Sequence, residues 1–81
     1  MGKRQSSMTN VFGSGVHAEL FSNKEVIIDG IRGVLEYSDL YIKLNIGKGT
    51  LDIYGSELEI SALNAEGIVI CGKIEKIEFC I

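Results

Sequence analysis

Few side chains in these 81 residues are of types that do chemistry, and their spacing decides how far each can be taken. Gly47-Lys48-Gly49-Thr50 invites a phosphate-cradling loop. Such a loop needs a further glycine five residues before its Gly-Lys pair, where this chain has Ile42, and a helix after it, which the following residues do not suggest. The segment reads instead as a tight turn with a solvated lysine. His17 is the single histidine. A metal centre or a Ser-His-Asp hydrolase would need partners for it at defined spacings, and none is visible, so it reads as an exposed strand residue. Cys71 and Cys80 form no C-x-x-C pair and read as small, half-buried hydrophobes in a reducing compartment. The remaining candidates are carboxylates and tyrosines, whose value depends on the elements that carry them.

The totals bound those elements. A chain of this length makes one domain that buries about 60% of its unfolded surface, so its core is thin and a second subunit would help it. Ten glycines and no proline predict many sharp turns. A net charge of −3 disfavours nucleic acid or an anionic membrane as the main partner. No run approaches the ~20 apolar residues of a membrane span, and no apolar segment follows Lys3-Arg4, so a soluble protein is expected. Residues 1–15 are polar and small and read as a flexible tail preceding a single domain over 16–81. The opening Met1-Gly2-Lys3-Arg4-Gln5-Ser6 fits an N-myristoylation pattern that is short and common, and a loose solubilising end explains it better.

The domain reads as all-β, an antiparallel meander of about six to eight short strands closing into a small barrel or sandwich. Turn signals recur roughly every 8 to 10 residues, and no helical period persists. Strands are expected at 17–21 and 25–29, joined by Ser22-Asn23-Lys24. The central hairpin spans 33–46. With Ser38 facing Tyr41, Tyr37 faces Ile42, Glu36 faces Lys43 and Leu35 faces Leu44, giving one apolar and one charged face. Gly47 to Thr50 then sets Ile46 against Leu51, and Gly55-Ser56 reads as a two-residue turn that sets Ile53 against Leu58. Ile60 pairs with Ile70, which also brings Glu57 opposite Lys73. Because Ile74 is even while Ile77, Phe79 and Ile81 are odd, a bulge is expected near Glu75-Lys76.

That register places Glu36, Lys43, Tyr54 and Glu57 in one row of the outer face, and Val34, Asn45, Asp52 and Glu59 in another. Opposed Asp52 and Glu59 would repel, which calls for a cation, a basic partner residue or a shifted register. Tyr37 reads as core. Tyr41 and Tyr54 should be partly exposed and able to anchor a protein partner.

The run Asn23-Lys24-Glu25-Val26-Ile27-Ile28 and the string Arg32-Gly33-Val34-Leu35-Glu36-Tyr37-Ser38-Asp39 resemble the YabP/YqfC family of sporulation proteins. So do Gly49-Thr50-Leu51-Asp52-Ile53-Tyr54-Gly55, Leu58-Glu59-Ile60 and Gly72-Lys73-Ile74-Glu75-Lys76-Ile77-Glu78-Phe79. The resemblance runs from about residue 18 to 79, and the string at 32–39 is more similar to the YqfC branch. Arg32, Gly33, Gly55 and Gly72 are its motif positions, and Ile31 departs from the polar residue expected there. The resemblance implies a non-enzymatic protein of the mother cell during endospore formation, tied to coat and cortex assembly or to a membrane-protein neighbour. It implies no catalytic residue.

The expected function is therefore a protein–protein assembly module, cytoplasmic in the mother cell. It would form homo-oligomers or join a membrane-associated partner, with no cofactor, metal, nucleic acid or small-molecule substrate. The alternative is a small β-barrel that binds a ligand or nucleic acid. Such a site wants a basic groove with stacking aromatics, and this chain has scattered lysines and no tryptophan. An intermolecular disulfide through Cys71 or Cys80 in an oxidised spore layer is the lesser alternative to their reading as half-buried hydrophobes.

Overall fold

The computed structural model describes Asn10–Val11 and residues 16–81. The myristoylation pattern and most of the expected tail lie outside the described residues. Within that tail segment, Asn10–Val11 (β1) pairs with Ala18 and His17.

The other strands are β2 (His17–Phe21), β3 (Glu25–Asp29), β4 (Gly33–Tyr37), β5 (Tyr41–Asn45), β6 (Thr50–Leu63) and β7 (Gly67–Cys80). All seven are antiparallel to their neighbours in one sheet of order β1-β2-β3-β7-β6-β5-β4. The all-β expectation holds, but the sheet does not close into a barrel, and β6 and β7 have 14 residues each. These two strands form one long bent hairpin. β5 adds to the first arm of β6 at residues 50–54, and β3 adds to the first arm of β7 at residues 67–71. The sheet therefore doubles over on itself, and the inner faces of its two halves meet as the leaves of a sandwich. Val26, Ile28, Ile68 and Ile70 from one leaf share a single core with Ile42, Leu44, Leu51 and Ile53 from the other; all eight are at most 1% exposed.

The bend corrects the expected Gly55-Ser56 turn. Register shifts at Tyr54/Gly55 and Ser56/Glu59 keep β6 running through as a strand. A Cβ on Gly55 would lie 2.0 Å from the Lys73 carbonyl oxygen, so this glycine serves a backbone contact across the ladder and no turn forms. Gly72 has φ +134°, and its Cβ would lie 2.5 Å from the Glu57 carbonyl oxygen; Glu57 itself is left-handed at φ 55°. Two bulges facing each other turn the corner. Each leaf's other hairpin braces it: the Gly55 and Leu58 amides donate to Leu40 and Asp39 oxygens, and the Gly72 and Ile74 amides donate to Lys24 and Asn23 oxygens. On β7, Tyr54 pairs with Lys76 but Gly55 pairs with Ile74, which leaves Glu75 as the extra residue. The bulge expected near Glu75-Lys76 is there, and it returns Ile77 and Phe79 to the core side.

Two other registers and one burial differ in detail. Leu44 faces Leu51 and Ile42 faces Ile53, two residues from the expected pairing, because the Ile46 amide closes the turn onto the Gly49 carbonyl. A shift of two preserves the inner face. In β4 a bulge at Leu35 sets Val34 opposite Leu44 and turns Leu35 outward, 53% exposed. Tyr37 is also 53% exposed; its hydroxyl accepts the Ile60 amide at 3.2 Å, so it caps the rim between the leaves and is not a core residue.

Candidate functional site

Even-numbered residues of β6 and their neighbours build the outer face of the leaf that contains β4 and β5. The pairings make a grid of three rows: Tyr41–Tyr54–Lys76, Lys43–Asp52–Glu78 and Asn45–Thr50–Cys80. Glu36 extends the middle row beyond Lys43. Asp52 sits at the centre, and this explains why a carboxylate on an outer face is only 6% exposed. Eight side chains surround it, two of them tyrosines whose ring centroids lie 4.9 Å apart.

Asp52 is satisfied on one side only. The Tyr41 hydroxyl donates to its Oδ2 at 3.2 Å, while its buried Oδ1 has no hydrogen-bond partner among the described residues. Loss of water around the Tyr41 hydroxyl, then the hydrogen bond to Asp52, then the charges of Asp52, Tyr54 and Glu36, push its pKa up to about 12. The Tyr54 hydroxyl is also raised, first by loss of water and then by the Asp52 and Glu78 carboxylates. Lys76 Nζ lies 5.1 Å from the centroid of the Tyr54 ring and 3.8 Å from Glu78 Oε2. A carboxylate oxygen of Asp52, one of Glu78 and the Cys80 sulfur all lie within 4.8 Å of one another.

The structure divides the expected surface residues between two places. Glu36, Lys43, Asp52 and Tyr54 come together on the grid. Glu57 and Glu59 belong to the other leaf's side of the bend, where they line a shallow cleft with Lys24, Cys71, Gly72 and Lys73. Ser56 takes the place opposite Lys73 that was expected of Glu57, and Glu59 faces Cys71. The expected Asp52–Glu59 opposition is thus replaced by Asp52–Glu78. Glu78, Lys76 and Cys80 were missed as site residues. The signal was present: they alternate with Ile77 and Phe79, and a continuous β6 would have set them against even-numbered partners.

The remaining candidates stay apart. His17 Nε2 lies 3.8 Å from Glu19 Oε2 on β2, and His17 faces Asp29 across the β2–β3 ladder. Cys71 Sγ lies 3.5 Å from Ser61 Oγ, with Glu25 and Glu59 on either side of Cys71 in the ladder. Of the motif positions, Gly55 and Gly72 make the bend, and the Arg32 amide donates to the Asn45 carbonyl as its guanidinium covers Gly47. Nothing stands within 4 Å of a Cβ added at Gly33.

No helix among the described residues is long and apolar enough to cross a membrane. No curated protein and no solved structure matches the chain. The model of the YabP family matches residues 15–80, from just before β2 to the last residue of β7. This bent two-leaved sheet belongs to the YabP family.

Proposed function

We propose that this sporulation-related protein is a non-catalytic assembly module of the mother cell, joining itself or a membrane-associated partner during coat or cortex formation. Family membership supports the setting. The observation that carries the molecular role is the β4 edge. Nothing pairs with its outer side among the described residues, and Leu35 and Tyr37 on the strand and Leu40 in its turn are each more than half exposed. An unpaired strand edge flanked by large apolar side chains is a template for a further strand, and contact there buries surface that water otherwise touches.

The test is light scattering over a wide concentration range in EDTA, beside a pull-down from sporulating cells. Wild type associates with concentration and recovers a spore-morphogenesis protein. Leu35→Lys, a change at an exposed bulge, weakens both at least tenfold while leaving the melting temperature in place. A wild type that stays monomeric and recovers no such protein removes the reading. Salt-dependent binding of single-stranded nucleic acid would favour a β-barrel-type binder instead.

A further inference from the structure

We propose that Asp52, Glu78 and Cys80 bind a divalent cation of the zinc type through two carboxylates and one thiolate. The proximity of three ligand atoms within 4.8 Å is common on protein surfaces and would carry nothing alone. The second observation is Asp52 itself, a carboxylate 6% exposed whose Oδ1 lies buried without a partner among the described residues. An unsatisfied buried carboxylate oxygen is costly, and an ion is one of the few things that relieves it.

Three features of the grid agree with this. Asp52 and Glu78 stand directly opposite on β6 and β7, a like-charge pairing that destabilises a ladder, and Lys43, across from Asp52 on β5, forms no ion pair with it among the described residues. Lys76 is already engaged with Glu78 and the Tyr54 ring. Tyr41 holds Asp52 Oδ2, the outer hydrogen bond that commonly orients a ligating carboxylate.

The donor set selects the metal class. A thiolate favours zinc-like ions over calcium or magnesium, which take oxygen ligands alone. Bond lengths of about 2.0–2.3 Å put neighbouring tetrahedral ligand atoms about 3.3–3.7 Å apart. Glu78 and Cys80 are exposed and can rotate inward by about an ångström, Glu78 loosening its 3.8 Å pair with Lys76, while Asp52 stays where packing fixes it. The Cys80 thiol gives its proton to solvent on binding, and water takes the fourth position.

Cobalt(II) is the probe, added to chelator-treated full chain kept reduced with a phosphine. Wild type and Cys71→Ser show the thiolate-to-cobalt band in the near ultraviolet, and zinc displaces it. Cys80→Ser abolishes the band, and Asp52→Asn weakens cobalt binding at least tenfold. Zinc raises the melting temperature of wild type and leaves that of Cys80→Ser unchanged. No band in wild type, a band that survives Cys80→Ser, or unaltered affinity in Asp52→Asn overturns the proposal; an isolated carboxylate satisfied by water gives the first of these. Because self-association is measured in EDTA, either idea can fail without the other.

Discussion

The two leaves are cut from the same pair of strands, yet their outer faces solve different problems. On the β3 leaf the middle of the outer face is an Ile27–Val69 pair, with Glu19 beyond it on β2. Aliphatic side chains there can be half covered without any polar debt. On the β5 leaf the corresponding place holds Lys43, Asp52 and Glu78, and the central carboxylate is more deeply covered than Ile27 or Val69. Inward, the leaves are alike; outward, only one keeps a charge in a dry place. The core is therefore the shared scaffold, and the chemistry belongs to one leaf.

If the inner faces truly form one core, damage to either leaf should cost the same and the damage should interact. Ile28→Ala and Ile53→Ala each remove a side chain that is 0% exposed, one from each leaf. Each is expected to lose about 3–4 kcal/mol in urea unfolding, by lost burial plus the cavity left behind. The double variant should depart from additivity, since one cavity can relax into the other. Additive losses with two separate transitions would split the leaves into independent units.

The bend that joins the leaves gives a smaller contrast. Gly72→Ala forces a Cβ to 2.5 Å from the Glu57 carbonyl at a φ of +134°, whereas a Cβ on Gly33 meets nothing. Gly72→Ala should cost about 1–3 kcal/mol as backbone strain, and Gly33→Ala less than about 0.5 kcal/mol. Equal costs for the two would mean that the corner relaxes freely.

Legibility in the sequence follows the same division. Strands β2 and β3 and their turn could be placed from a short apolar run beside turn chemistry: Ser22 and Asn23 take the left-handed φ values, 54° and 58°, that small polar residues tolerate, although β3 alternates in burial where its unbroken apolar run suggests fuller cover. The Glu75 bulge could be read from parity alone. What escaped depends on contacts distant in sequence. A glycine that starts a turn and a glycine that lets two backbones approach closely look the same in a string of letters, and Gly55 is of the second kind. With β6 cut at that point, Asp52 gains the wrong partner, and Glu78 and Cys80 fall outside its face. The like-charge conflict at Asp52 was nevertheless visible, and it survives in the structure with a different opponent.

The smallest expected effect separates the faces by pH. A folded-state pKa of about 12 for Tyr41, against about 10 for an unfolded tyrosine, means that folding favours the protonated hydroxyl. The resulting stability is complete below pH 10 and is lost as pH rises through 12, because the unfolded chain releases that proton first. With EDTA present to keep metal out, the melting temperature of wild type should fall more steeply between pH 10 and 12 than that of Tyr41→Phe. In ultraviolet titration the highest tyrosine step should disappear in Tyr41→Phe. Asp52→Asn should only lower that step part of the way, since loss of water around the hydroxyl is the larger cause and the carboxylate the smaller. A return of the whole step to pH 10 in Asp52→Asn would make the carboxylate the main cause, and the burial that distinguishes this face would count for less than its charge.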